Sequence, residues 1–208
     1  MTARFGEIAF TDSVRAVQAE MGSAAAYARA TRAEAAPDRL GPAEAGFIAE
    51  RDTMFIASVG ESGWPYVQHR GAKPGFIRVL DDRTLGFLDL AGNRQYITVG
   101  NLARDGRVSL LLLDFARRRR LKVLGHARTV ALVEDPLLAA RLALPGWRGR
   151  AERAVLVTVE AFDWNCPAHI TPRFTVEEVE GATAPLRARL AVLEQALVAA
   201  GVPVPDVT

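Results

Sequence analysis

Between Phe47 and Val130 the hydrophobic positions fall in short, closely spaced runs: residues 54–59, 66–70, 76–80, 85–90, 108–115 and 121–130. Turn residues separate them, namely Gly60-Glu61-Ser62-Gly63, Gly71-Ala72-Lys73-Pro74-Gly75, Asp81-Asp82-Arg83 and Ala91-Gly92-Asn93. Runs of this length with this punctuation predict β-strands, and one helical insert, residues 95–104, interrupts them. A βαβ sheet would alternate strand and helix throughout, so the pattern predicts a mainly β (α+β) chain on an antiparallel barrel or sandwich. Residues 154–160 add a further strand. The polar residues gather at strand ends and turns, where the mouth of a barrel would hold a ligand.

Helical periodicity belongs to the flanks. Asp12-Ser13 can cap a helix over residues 14–32, and Gly41-Pro42 opens a short helix whose Phe47 and Ile48 plug the barrel end. Asp135-Pro136 supplies cap and first turn for a helix over residues 135–144. In a terminal helix over residues 183–199, Leu186, Leu190, Leu193 and Leu197 follow 4-3-4 spacing and make one apolar stripe, which packs on its own barrel or on a second subunit. The expectation is one domain over residues 1–208, with a helical N-terminal extension (1–40) and a C-terminal helix (183–200).

Composition narrows the classes. Half of the 208 residues are hydrophobic and 24% are charged, an ordinary globular balance. No apolar run approaches the roughly 20 residues of a membrane helix, and residues 1–16 lack the apolar core of a signal peptide. A single cysteine, Cys166, agrees with a reducing compartment, so the expectation is a cytoplasmic protein with no membrane partner. Net charge is +2, and lysine accounts for two of the 26 cations, leaving 24 arginines (26 − 2). Forked guanidinium donors suit phosphate or carboxylate wherever they converge.

Three stretches carry candidate chemistry. In Gln68-His69-Arg70-Gly71 strand alternation puts Gln68 and Arg70 on one face and His69 on the other, with Gly71 permitting close backbone approach. After Asp89, Asn93 suits a helix cap, and the free backbone donors beside Arg94 and Gln95 suit an anion. Arg117 to Arg120 sit in a hairpin connection; a solvated loop accounts for most of them, and Arg119 or Arg120 closes the anion site if the hairpin folds over Arg70 and Arg94. Nucleic-acid binding is disfavoured, because aromatic residues do not interleave with the arginines. The loop AFDWNCPAHITPRFT holds Trp164, Asn165, Cys166, His169 and Arg173. Cys166 and His169 lack the spacing and orienting partner of a nucleophilic pair, and the histidines and cysteine lack paired metal-ligand spacing.

Asp89-Leu90-Ala91-Gly92-Asn93-Arg94-Gln95 resembles the strand-to-helix segment of the pyridoxamine 5′-phosphate oxidase-like flavoproteins. There a small polar residue and two basic ones hold the FMN phosphate; Gln95 replaces the second basic residue. Gln68-His69-Arg70-Gly71 stands where that family has its arginine-bearing flavin strand. Arg119-Arg120-Leu121-Lys122-Val123-Leu124-Gly125 is similar to the family's hairpin return, with Arg120 in place of a flavin-contacting glutamine. Trp164-Asn165-Cys166-Pro167 resembles a C-terminal segment that reaches the flavin in one sub-branch, often across the dimer.

The resemblance covers residues 47–128 and returns at 164–173. It implies a six-stranded antiparallel split β-barrel with peripheral helices, a homodimer, FMN as cofactor, and oxidoreductase activity on an unidentified small molecule. The implied cofactor-binding residues are Gln68, His69, Arg70, Gly71, Asp89, Asn93, Arg94, Gln95, Arg119, Arg120, Trp164, Asn165 and Arg173. No residue is assigned as a catalytic acid or base. Pyridoxamine-phosphate oxidases carry a C-terminal Arg-x-His motif; Ala168-His169-Ile170-Thr171-Pro172-Arg173 stands in its place, which argues against pyridoxamine phosphate as substrate. The alternative is a non-catalytic protein holding haem, flavin or deazaflavin on the same barrel, with His69, His126 or His169 as an axial haem ligand.

Overall fold

The computed structural model describes residues 1–28, 35–146, 150–164 and 168–204. Their elements run α1 (Ala3–Ala9), α2 (Asp12–Glu20), α3 (Ala24–Tyr27), α4 (Pro42–Ala49), β1 (Thr53–Val59), β2 (Pro65–Gly71), β3 (Arg78–Asp81), β4 (Thr84–Leu90), α5 (Ile97–Arg104), β5 (Arg107–Asp114), β6 (Arg119–Ala131), α6 (Pro136–Leu142), β7 (Ala151–Trp164) and α7 (Val176–Ala199). The chain divides into two compact units, one of Met1–Asp114 with Arg118–His169 and one of Phe115–Arg117 with Ile170–Thr208.

All seven strands of the first unit join one sheet in the order β2-β1-β5-β6-β7-β4-β3. Every pairing is antiparallel, and short turns require this of the β1–β2, β3–β4 and β5–β6 hairpins. The expected count of six becomes seven because β7, read from sequence as an additional strand, lies between β6 and β4. Alternation decides what each strand buries. Met54 and Ile56 of β1, Leu85 and Phe87 of β4, Leu110 and Leu112 of β5, Leu121 and Val123 of β6, and Val155 and Val157 of β7 form one core with Phe47 and Ile48 of α4. A smaller cluster joins Leu138 and Leu142 of α6 to Ala154 and Leu156, on the other face of β7.

A bulge interrupts the long β6–β7 ladder: Leu124 pairs with Ala161 and Gly125 with Val159, which leaves Glu160 unmatched. Asp38 ties this irregularity down. Its N–H donates to the Glu160 carbonyl at 3.0 Å, and its carboxylate accepts from the Phe162 N–H at 2.9 Å. Gly125 is required here, since a Cβ at this position would stand 2.4 Å from the Thr158 carbonyl oxygen.

Several boundaries differ from the sequence reading. The expected helix over residues 14–32 breaks after Glu20, where Gly22 has φ +72°, a conformation open to glycine; α3 resumes helix at Ala24–Tyr27, and residues 29–32 lie outside the described residues. The terminal helix starts at Val176, because Thr175 and Glu178 form a reciprocal capping box that outweighs Gly181 and Pro185. Strand β7 continues through Trp164, which the sequence reading assigned to a loop, because Trp164 pairs with Leu121. No described helix is long and apolar enough to cross a membrane.

Gly125→Ala is expected to destabilise the protein by about 1–3 kcal/mol, as overpacking against backbone does. Gly100→Ala in α5, where a Cβ meets nothing within 4 Å, is the control and should be neutral or stabilising by up to ~1 kcal/mol. Urea unfolding of both variants checks the pair.

Candidate functional site

The first unit contains a polar cavity of about 200 Å³ bounded by the inward side of β2, the end of β4, the 91–96 turn and the start of α5 and β7. Strand β2 buries alternate residues, so Tyr66, Gln68 and Arg70 line the cavity while Val67 and His69 face away. Asp89 reaches it from β4 and Glu152 from β7. The β4–β7 register places Arg153 opposite Asp89, and Glu152 is its chain neighbour.

An ionic chain links these residues. Arg70 Nη2 lies 3.1 Å from Asp89 Oδ1, and Arg153 Nε lies 3.9 Å from Asp89 Oδ2. Arg153 Nη2 is 3.1 Å from Glu152 Oε2, and Arg94 Nε is 3.8 Å from Glu152 Oε1. Asp89 is 6% exposed, so its charge depends on these partners. Tyr96 joins the chain through its hydroxyl, which donates to Glu152 Oε1 at 3.1 Å and accepts from Arg94 Nε at 2.9 Å. The Arg153 guanidinium stands 5.0 Å from the Tyr96 ring centroid. The hydrogen bond to Tyr96, and then the charge of Glu152, raise the Arg94 pKa above its ordinary value, so Arg94 stays cationic at any working pH. The lining itself balances two guanidiniums, Arg70 and Arg94, against two carboxylates, Asp89 and Glu152, and Arg153, outside the lining, adds a further cation to the chain. Arg70 Nε is also buried without a partner, a donor that an anionic ligand would satisfy.

The 91–96 turn differs from the expected helix cap. Asn93 Oδ1 accepts from the Gln95 N–H at 3.2 Å, closing an Asx turn, so Asn93 does not cap the helix. Arg94 and Tyr96 adopt left-handed φ values of 58° and 54°, and α5 begins at Ile97 with Tyr96 at its cap. Such backbone is uncommon away from glycine and gathers at ligand-binding sites.

Of the residues predicted from sequence, the cavity brings together Gln68, Arg70, Asp89, Asn93, Arg94 and Gln95. His69 lies on the opposite face of β2, with Nε2 3.2 Å from the Thr53 hydroxyl and its ring edge-on to Phe55. Gly71 ends β2 beside the Asp52 carbonyl. Arg119 does not line the cavity: its guanidinium stacks 4.7 Å from the Trp164 ring and 5.2 Å from Phe47. The Trp164 indole N–H donates to Glu44 at 2.7 Å, a packing role beside α4. Arg120 lies on β6 outside the lining, and Arg173 stacks over Phe115 in the second unit. Asn165 and Cys166 lie outside the described residues. His126 pairs with Glu160 at 3.7 Å, and none of the three histidines is among the lining residues. Among the described residues no group of three or more His, Cys, Asp or Glu is placed to hold a metal.

Sequence reasoning missed Tyr66, Tyr96, Glu152 and Arg153. Tyr66 followed from the same alternation that selected Gln68 and Arg70. Glu152 and Arg153 carry no local signal; the β4–β7 register alone delivers them.

Comparison with known proteins gives a family match: the family model described as pyridoxamine 5′-phosphate oxidase matches residues 40–160, more than half of the chain. No curated protein matches. Among solved structures, a HupZ variant from Group A Streptococcus is 17% identical, with 60% of this chain and 98% of that one covered at a TM-score of 0.47. General stress protein 26 from Bacillus anthracis is 14% identical, with 62% and 92% covered at a TM-score of 0.45. A Clostridium acetobutylicum protein related to general stress protein 26, of the pyridoxinephosphate oxidase family, is 14% identical, with 64% and 92% covered at 0.43.

Arg70→Ala removes the nearest partner of a buried carboxylate and should destabilise the fold by roughly 1–3 kcal/mol. Arg94, whose side chain is 70% exposed, should cost less than ~0.5 kcal/mol when changed to alanine. Denaturant midpoints of the two variants test the ordering.

Proposed function

We propose that this chain, which belongs to the pyridoxamine 5′-phosphate oxidase family, is an FMN-binding oxidoreductase that works as a homodimer on a small molecule in the cytoplasm. The observation that carries the proposal is the cavity where Arg70, Asn93 and Arg94 converge, with Arg70 Nε still lacking an acceptor. A phosphate monoester fits that donor set: it offers several acceptor oxygens to forked donors.

In this reading Arg70 and Arg94 hold the phosphate. Asn93 shapes the turn that presents Arg94, and Gln68 offers its amide from the neighbouring position on β2. Asp89 orients Arg70 through the 3.1 Å contact, and Glu152 with the Tyr96 hydroxyl keeps Arg94 near the cavity. FMN when bound supplies hydride or single-electron transfer. The protein's part is to bind and orient it.

The homodimer is supported by the outward face of β1 and β5. Phe55, Ala57, Leu111 and Leu113 alternate with the core residues there and are half-buried, and Val67 of β2 is exposed. A second copy covering this apolar row is the expected occupant, and light scattering reports it as twice the monomer mass.

The main test is an absorption spectrum of the purified protein with and without added FMN, together with thermal melting. Flavin bands that co-purify or appear on reconstitution, and a raised melting point, are expected. Arg94→Ala should weaken FMN binding by about 1.5–3 kcal/mol if its guanidinium makes a charged hydrogen bond to the phosphate. Unchanged affinity would remove Arg94 from the site.

A further inference from the structure

Helix α7 of the second unit carries an apolar seam longer than its leucines alone suggest. Upstream of Leu186 the row continues through Thr183, Val179 and Val176, so spacings of three and four alternate from residue 176 to residue 197. Written as a heptad, Val176, Thr183, Leu190 and Leu197 take position a. Leucine or valine takes every position d, at 179, 186 and 193. The pattern fills most of the 24-residue helix.

No residue of α7 is buried, and Leu186 and Leu190 are 66% and 57% exposed. The residues that suit a packed seam least stand off it. Gly181 and Pro185 fall at f and c, on the outward side, where water can serve the carbonyl that proline leaves without its helical donor. Thr183, the polar member of the seam, is already satisfied: its hydroxyl donates to the Val179 carbonyl at 2.8 Å. Covering it therefore costs no hydrogen bond. Of the large apolar side chains of α7, Val192 and Val198 alone lie outside the seam.

The flanking charges choose the occupant. Position e holds Glu180, Arg187 and Glu194, and position g holds Ala182, Arg189 and Ala196. Between parallel helices in register, each g residue meets the e residue five positions further along the other helix. Arg189 then meets Glu194 of the partner subunit, symmetry makes the contact twice, and no like charges meet. Between antiparallel helices e meets e and g meets g. The antiparallel alignment with the fullest overlap of the seam sets Arg187 and Arg189 each against its own counterpart, and Glu180 against Glu194 of the partner subunit. Every charged contact in it is repulsive. The seam is thus complementary to an identical helix, in one orientation.

We infer that α7 pairs with α7 of a second copy as a parallel, in-register two-stranded coiled coil, and that this copy is the one covering β1 and β5. The second clause rests on the homodimer reading. Three heptads are close to the least that sustains a coiled coil. A copy already held at the sheet makes the helix contact intramolecular, which offsets that shortness. One partner at both surfaces also closes the assembly, whereas different partners would extend it to a third copy.

The experiment uses the full chain with Cys166→Ser, which removes the single native thiol. Leu193→Cys, at d, sets two thiols face to face across the seam, and Gln195→Cys, at f, turns them away. In a glutathione redox buffer Leu193→Cys should cross-link most of the protein, while Gln195→Cys stays uncross-linked. Adding Arg189→Glu to Leu193→Cys should lower the yield, and adding Glu194→Arg as well should restore it. These side chains are exposed, so every variant should fold, which circular dichroism verifies. In the native chain Leu190→Glu should raise the dimer dissociation constant roughly a hundredfold, the lower end of what a tethered second contact adds, as light scattering on dilution reports.

Equal cross-linking of Leu193→Cys and Gln195→Cys, or a yield indifferent to Arg189→Glu, overturns the parallel seam; if the native mass is still doubled, the homodimer reading stands. A native chain of monomer mass overturns both. A Leu190→Glu dimer as tight as the native one puts α7 outside the subunit contact and overturns the inference.

Discussion

Arg70 and Asp89 stand on strands that the hydrogen-bonding order separates by five steps, β2 at one edge and β4 next to the other. In a flat sheet five spacings of about 4.8 Å would hold them some 24 Å apart. Their side chains instead meet at 3.1 Å. The sheet must therefore curl until its two ends face one another, and this contact marks where they meet. The core residues of β1, β4, β5, β6 and β7 fill the inside of that curl, and the cavity lies at the seam. Because Asp89 is buried, the seam carries a cost that only a cation can offset. Arg70 provides the first cation and Arg153 the second, so the polar site and the closure of the fold depend on the same charges.

The strand pattern of the first unit was legible because alternation on a half-buried sheet writes itself into the sequence. In β1, β4 and β5 the apolar runs mark the strands themselves, and Ser58, Asp89 and Asp114 are buried polar exceptions to the letters. The face of β2 that meets the cavity was legible for the same reason. Long-range pairing was not. That β7 sits between β6 and β4, and that Arg153 thereby opposes Asp89, depends on a register between residues more than sixty positions apart, which no local pattern encodes. Arg119 and Arg120 show the converse. Their charge and their place in a hairpin suggested the anion site, yet Arg119 is absorbed by the faces of Phe47 and Trp164, a contact between segments remote in sequence. Arginine forms such stacks readily, and with 24 arginines in the chain composition alone could not say which ones do.

Local capping chemistry proved harder to read than strand periodicity. Asn93 has the right side chain for a helix cap but spends it two residues ahead on Gln95, and the helix waits until Ile97. Thr175 and Glu178, three apart, close the capping box that starts α7 at Val176, whereas the leucine stripe placed the expected start at residue 183. In both places competing short-range hydrogen bonds differ by little in energy, and the surrounding residues settle the outcome.

The unmatched Glu160 changes the parity of everything that follows it. Before it, Val155, Val157 and Val159 point into the core; after it, Phe162 and Trp164 pack against that core, opposite Val123 and Leu121. Odd positions hold the interior on one side of the bulge and even positions on the other. Flattening the bulge while keeping that glutamate in the ladder would preserve every hydrophobic letter of β7 and yet turn Trp164 outward, away from Phe47 and the Arg119 stack, while Asp163 took its place inside. The strand's meaning is thus set by counting as much as by composition, and counting Glu160 into the ladder would be read as a frameshift in the pleat.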